Sequence, residues 1–132
     1  MMDNRFEVTV GAGTMMSRSV AAIGFPHRWT SGGVTVEAGF TGGHLLHLAV
    51  AGCVLNDVYR EAAALGIELA GVRVTAAGGF DTGTWQSVGI GYTVEVSSGA
   101  PAGRLAHLLQ VVDQVAEIPQ AVRAGATVRR LT

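Results

Sequence analysis

Residues 42–66 of the chain read GGHLLHLAVAGCVLNDVYREAAALG, which is the longest segment with helical character and contains no proline. Thr41 can cap the start of this helix with its side-chain oxygen, and Gly66 can end it in a left-handed conformation. The first half is apolar nearly all round, which predicts burial on several sides. The single cysteine, Cys53, lies near the middle. Its thiol is therefore either an inert core group or the centre of an active site.

The composition is that of an apolar chain with few charges. Of its 132 residues, 48% are hydrophobic and only 14% are charged, whereas about 25% charged residues is typical. We expect a single domain over residues 1–132, long enough for a real core. We also expect some apolar surface to be buried between the subunits of a homodimer. The net charge of −1 gives no electrostatic footprint for nucleic acid.

One cysteine excludes an internal disulfide and a CxxC motif, and it fits a reducing compartment. The N-terminal segment MMDNRFEVTV lacks a basic region followed by an apolar core, so it does not resemble a signal peptide. The longest apolar or glycine run, residues 48–55, is much shorter than the roughly 18 residues that a membrane span needs. We therefore expect a cytoplasmic protein that does not bind membranes, and no pattern calls for a cofactor.

Alternating and β-branched residues predict strands on both sides of the long helix, at residues 5–10, 14–23, 34–38, 67–77, 85–96 and 126–131. Glycine-rich segments predict turns at residues 11–13 and 78–83 and a loop at residues 24–33. A second helix is expected from Pro101 until Ile118-Pro119 breaks it, followed by a short helical turn at residues 120–125. Because strands and helices do not alternate strictly, the order predicts an α+β fold.

Two stretches carry a resemblance to a known family. They are HLLHLAVAGCVLNDVYREAAALGIELAGVRVTAAGGFD (44–81) and QVAEIPQAVRAGATVRR (114–130). Together with the order of elements, they resemble the family of osmotically inducible protein C and organic hydroperoxide resistance protein (OsmC/Ohr), over residues 34–132. The resemblance implies an OsmC-like fold, with antiparallel strands around a long central helix, in an intertwined homodimer.

The resemblance also implies a thiol chemistry. In the catalytic members a cysteine on the central helix attacks a hydroperoxide, and a second cysteine, before a proline, resolves the sulfenic acid as a disulfide. Cys53 matches the first cysteine. The second position is Ile118 in this chain, just before Pro119. A reactive Cys53 would thus need an external thiol as its resolving partner.

The other family residues that assist the thiolate are an arginine from the N-terminal region and a glutamate near the helix start. Arg18 and Arg28 are the candidates for the arginine. The glutamate position is occupied by Gly43 or His44, and a neutral His44 could act as a base for the substrate or the thiol. The predicted catalytic residues, from this resemblance, are therefore Cys53, Arg18, Arg28 and His44.

The residues near Cys53 along the helix do not favour its activation. Asp57 shares its face and disfavours the thiolate, whereas Arg60 is two turns away. Any activation must come from elsewhere in the chain or from another subunit. Two hypotheses remain open: a one-cysteine thiol-dependent peroxidase, or a non-catalytic family member that binds a small apolar ligand in the dimer cleft.

The histidines do not predict a metal site. His44 and His47 lie on one helix face, but Cys53 falls on the opposite side of a straight helix, so the three cannot easily share an ion. His107 on the second helix could join them, but nothing in the sequence requires it. Arg28 and Trp29, in the loop at residues 24–33, are the best candidates for an exposed binding site. The alternative is that Trp29 packs the loop onto the core and Arg28 is solvated.

Overall fold

The structure, a computed structural model, describes residues 5–132. In that part of the chain five strands form one sheet in the order β2-β3-β1-β4-β5, with every neighbouring pair antiparallel. Three helices complete the fold, so the predicted α+β class is confirmed. In chain order the elements are β1 (Val8–Gly13), β2 (Ile23–Phe25), β3 (Val34–Glu37), α1 (Gly42–Leu65), β4 (Gly71–Phe80), β5 (Ser87–Ser97), α2 (Ala102–Val115) and α3 (Glu117–Ala124).

Helix α1 has the predicted start and end because both are determined locally. The Thr41 hydroxyl oxygen accepts a hydrogen bond from the His44 N–H at 3.2 Å. Gly66 adopts a φ of 69° and donates its N–H to the carbonyls of the last turn. Between these caps the helix packs on β1, β4 and α2. The core lies between helix and sheet and is built mainly from small aliphatic side chains: Val8, Val10, Val54, Leu55, Val58, Val72, Val74, Leu108 and Val112.

A buried histidine sits where α1 crosses β4. The His47 ring is fully buried, stacks on Phe6 at 6.2 Å and meets the edge of Phe80. Its Nδ1–H donates to the Gly43 carbonyl at 2.6 Å, which leaves Nε2 with no hydrogen bond from the described residues. A Cβ placed on Gly78 would lie only 2.5 Å from that Nε2. The contact between α1 and β4 therefore depends on glycine at position 78.

The predicted strand at residues 14–23 is wrong. The strand in this region is Ile23–Phe25. It shares only Ile23 with the predicted strand, and Gly24 and Phe25 belong to the predicted loop. The hydroxyls of Ser17 and Ser19 accept hydrogen bonds from backbone N–H groups two residues on, and such local bonds compete with strand pairing. The predicted turn at residues 11–13 is also wrong, because these residues pair with β3 or β4 as the end of β1.

Two predictions near the C-terminus also need correction. The break between the last helices falls at Ala116, and Ile118-Pro119 lies inside the first turn of α3. Proline is tolerated there because the N–H groups of a first turn have no partner within the helix. The closing strand at residues 126–131 is wrong, since this segment has no regular structure. Val128 and Leu131 are 92% and 84% exposed, so these side chains are not packed against any element in the described part of the chain.

The prediction about a signal peptide concerns residues 1–10, of which the first four lie outside the described residues. None of the helices within residues 5–132 is both long enough and apolar enough to cross a membrane.

Candidate functional site

Cys53 is partly exposed rather than part of the sealed core. Helix α3 begins beside the middle of α1, so the first residues of α3 reach the sulfur. The Cys53 thiol donates a hydrogen bond to Glu117 Oε2 at 3.1 Å. The Ile118 N–H points at the same sulfur from 3.5 Å. A carboxylate and a backbone amide, both from a distant part of the sequence, thus define the surroundings of the thiol.

Arg60 connects this pair to the rest of α1. Its Nη1 lies 2.8 Å from Glu117 Oε1, and its Nε lies 3.3 Å from Glu61 Oε2. Its Nη2 is 3.1 Å from Asp57 Oδ2. That last contact is an ion pair without hydrogen-bond alignment, so the buried Oδ2 accepts no hydrogen bond from the described residues. The Arg60 guanidinium therefore forms ion pairs with three carboxylates, those of Asp57, Glu61 and Glu117.

This environment keeps the thiol protonated. Burial raises the pKa of Cys53 to about 11, the carboxylates of Glu117 and Asp57 raise it too, and only the Ile118 N–H lowers it. The direction of the Asp57 effect agrees with the sequence prediction. At pH 7 only about one thiol in ten thousand is ionised at such a pKa. Cys53 is thus a hydrogen-bond donor in this conformation and not yet a nucleophile.

The two carboxyl groups differ because only one is buried. The hydrogen bond from Arg60, followed by that from Cys53, lowers the pKa of Glu117 to about 2. Burial raises the pKa of Asp57 to about 6, although the charge of Arg60 opposes that rise. Both groups are mainly ionised at pH 7, so the sulfur faces two negative charges and one shared cation.

The sulfur lines an open cleft of about 520 Å³. Its walls combine apolar side chains with the charged cluster: Trp29, Leu48, Ala49, Gly52, Cys53, Asn56, Asp57, Arg60, Glu117 and Ile118. A second hollow of about 410 Å³ shares Trp29, Leu48, Gly52 and Asn56 with it and continues toward the valines of β1 and β3. The two hollows adjoin through these four residues. Gly52, which directly precedes Cys53, lines both hollows, so the apolar surface of the second hollow starts next to the thiol.

Of the other three predicted catalytic residues, Arg18, Arg28 and His44, none lines the Cys53 cleft. His44 lies at the helix start, with Nδ1 2.7 Å from the Thr41 hydroxyl. Nine residues of helix separate it from Cys53, about 13 Å along the axis. Arg18 lines a separate hollow with Thr35 and Glu37, on the sheet face opposite α1. The catalytic roles of these residues remain predictions.

Arg28 lines the second hollow, which adjoins the Cys53 cleft. Its guanidinium carbon is 5.5 Å from the centre of the Trp29 ring, and Trp29 lines both hollows. The loop is tied to α1 by His27, whose Nε2 is 2.9 Å from Asn56 Oδ1. The structure therefore places the predicted loop site beside the Cys53 cleft, with Trp29 and not Arg28 at the boundary.

Glu117 is the site residue that sequence reasoning missed. The resemblance placed Ile118 at the position of a cysteine that bonds to the counterpart of Cys53. The neighbours of Ile118 therefore had to lie near the sulfur, and Glu117 is one of them. Arg60 was judged too distant along the helix, but Glu117 bridges it to the thiol.

Comparisons with known proteins show which other proteins the chain and its fold are similar to. A family model described as OsmC-like protein matches residues 34–129. Among solved structures, the chain is similar to an OsmC-like protein from Mycoplasma pneumoniae, with a TM-score of 0.60 and 14% identity, covering 82% of this chain and 89% of that one. It is also similar to an OsmC-like hydroperoxide resistance protein from a Jannaschia species, with a TM-score of 0.51 and 14% identity, covering 96% and 93%. A search of curated proteins finds no match.

Proposed function

Because the chain belongs to the OsmC-like protein family, as its sequence predicted, we propose that it reduces organic hydroperoxides through Cys53 with an external thiol as reductant. The observation that carries this proposal is the partly exposed sulfur in the wall of a cleft that offers both apolar and hydrogen-bonding groups. Leu48 and Ile118 would contact the organic part of a substrate. One of the similar structures is named a hydroperoxide resistance protein.

The reaction follows from the chemistry of a single thiol. Cys53 loses its proton, and the thiolate attacks one oxygen of the peroxide bond. The O–O bond breaks, the alkoxide leaves and takes up a proton as an alcohol, and Cys53 becomes a sulfenic acid. A first external thiol condenses with it, releasing water and forming a mixed disulfide. A second external thiol then attacks this disulfide, which restores Cys53 and yields the oxidised reductant. The external thiol is required because the chain has one cysteine.

The unfavourable step in this scheme is formation of the thiolate, because its equilibrium population is low. Glu117 holds the proton on the sulfur in the resting conformation. Arg60 is 40% exposed, so its side chain can move toward the sulfur when a substrate displaces it from Glu117. Such a move would replace an acceptor for the thiol proton with a cation that stabilises the thiolate. Positioning by Arg60 and Glu117 is therefore part of the proposed mechanism.

Replacing Cys53 with serine should abolish thiol-dependent hydroperoxide consumption. Serine keeps the size and the hydrogen bond to Glu117 but does not form a sulfenic acid. The measurement is the loss of an organic hydroperoxide over time, with and without an added small thiol. The Cys53→Ser variant is the matched control. Mass spectrometry of the wild-type protein after stoichiometric peroxide should show oxygen added at Cys53. An unoxidised Cys53 together with no consumption would exclude the peroxidase.

A second candidate is a non-catalytic member that binds a small apolar ligand in the same cleft. The raised pKa of Cys53 and the isoleucine at position 118 favour it. Comparing wild type with Cys53→Ser distinguishes the peroxidase from the binding protein. A pure binding protein would hold an apolar ligand equally well as wild type or as Cys53→Ser, and would consume no peroxide.

The proposal includes a homodimer, as the sequence predicted. It is supported by large apolar side chains that are more than half exposed along the chain: Val20, Ile23, Phe25, Phe40, Trp85, Val88, Val128 and Leu131. Burial of such side chains between subunits is favourable. Light scattering at micromolar concentration should therefore give about twice the 13.6 kDa mass of the chain. A mass of one chain would contradict the dimer.

A further inference from the structure

Three potential metal ligands converge at the cleft. The Cys53 sulfur and one carboxylate oxygen each from Asp57 and Glu117 all lie within 4.8 Å of one another. Cys53 and Asp57 are four residues apart on α1, the spacing that places two ligands on one helix face. Glu117 closes the group from the start of α3. None of the three is one of the histidines His44, His47 and His107.

The cluster has more negative charge than its own cation can balance. Asp57, Glu61 and Glu117 surround Arg60, so with all four ionised the cluster carries two excess negative charges. The Asp57 side chain is only 3% exposed and belongs to the cleft lining. Its Oδ2 is ion-paired with Arg60 at 3.1 Å but accepts no hydrogen bond from the described residues, and a buried carboxylate oxygen without a hydrogen bond is costly. A metal ion bonded directly to this oxygen would satisfy it better than the misaligned contact with Arg60.

We infer that Cys53, Asp57 and Glu117 form a binding site for a divalent cation of the Zn²⁺ type. Zn²⁺ accepts thiolate sulfur and carboxylate oxygen at about 2.0 to 2.3 Å, and open sites commonly have three protein ligands plus water. Binding forms a sulfur–metal bond and releases the Cys53 proton to solvent. Arg60 is displaced from Asp57 and Glu117 because the metal takes its place. With the Cys53 thiolate counted, a dication would reduce the excess negative charge of the cluster from two to one.

The bound metal would also change the chemistry of the cleft. It converts the two carboxylates that oppose the thiolate into co-ligands, and it occupies the lone pairs that would attack a peroxide. This site does not depend on peroxidase activity, because binding needs only the three ligands. If both occur, metal and hydroperoxide compete for Cys53.

Cd²⁺ is the probe of choice, because its bond to a thiolate absorbs in the ultraviolet. The prereduced full chain is titrated with Cd²⁺ at pH 7.5 in the absence of peroxide. We expect one sulfur-to-cadmium band that saturates at one equivalent, and Zn²⁺ should displace the Cd²⁺. Cys53→Ser should abolish the band. Asp57→Asn and Glu117→Gln should each weaken binding by at least the roughly 10- to 100-fold that even outer-sphere partners contribute.

Glu61→Gln is the matched control. It removes the same charge from the same guanidinium but is not one of the three converging ligands, so binding should weaken less than three-fold. Glu117 is exposed, so Glu117→Gln tests the site even if Asp57→Asn does not fold. Absence of the band would overturn the inference. So would a band unaffected by Glu117→Gln, because that result would mean coordination by a lone thiol only.

Discussion

Alkylation of Cys53 by iodoacetamide should accelerate about ten-fold per pH unit from pH 7 to pH 10, roughly a thousand-fold in all. The thiolate is the reacting species, and burial with two carboxylates raises the pKa of the thiol to about 11. A raised acid pKa means that the charged form is lost as pH falls, so the rate declines through the whole range below 11. The same chain in urea should instead level off above about pH 9, near the ordinary cysteine pKa.

Glu117→Gln distinguishes the effect of the carboxylate on the pKa of Cys53 from the effect of burial. The amide removes the negative charge and leaves only a weaker, neutral acceptor for the thiol proton, and both the charge and the strong hydrogen bond of Glu117 raise the pKa of Cys53. We expect a rate at pH 8 about ten-fold above wild type, equivalent to a pKa about one unit lower. Glu61→Gln leaves every contact of the sulfur in place and should change the rate less than two-fold. A wild-type rate that is already flat above pH 8 would contradict the prediction and indicate a cation at the sulfur.

The sequence predicted those parts of the fold that local chemistry determines. Helix α1 was correct at both ends because Thr41 and Gly66 cap it with their own groups. The predicted strand at residues 14–23 is wrong because apolar and β-branched residues do not by themselves supply a pairing partner. There the serine side chains bond to nearby backbone N–H groups. The segment at residues 126–131 likewise pairs with no strand in residues 5–132.

The candidate site was predictable only along the helix. Asp57 was recognised as a neighbour of Cys53 because four residues make one helical turn. Glu117 is 64 residues away in sequence, and periodicity does not tell which residue at the start of α3 reaches the sulfur. A residue from another part of the chain was expected to stabilise the thiolate, but the negative charge of Glu117 destabilises it. Activation of the thiol was expected from such a residue, whereas the structure places a carboxylate there that keeps the thiol protonated.

Gly78→Ala should destabilise the protein by about 3 kcal/mol, near the upper end for a small residue enlarged in a packed region. The added methyl would lie 2.5 Å from His47 Nε2 and closer still to the Gly89 carbonyl oxygen of β5. The carbonyl belongs to the backbone of a paired strand, and the His47 ring is held by Phe6 and Phe80. Neither neighbour can move without disturbing the sheet or the aromatic contacts.

Gly52→Ala is the contrasting substitution. Gly52 lies in the middle of α1, and a Cβ there meets no atom within 4 Å. Alanine should therefore stabilise the protein by up to about 1 kcal/mol through helix propensity alone. Urea denaturation measures the free energy of unfolding of both variants, and an m-value equal to that of the wild type shows that only stability has changed. If Gly78→Ala cost less than about 1 kcal/mol, the His47 ring would have room to move. The close contact of α1 with β4, which fixes the helix that carries Cys53, would then not depend on glycine at that position.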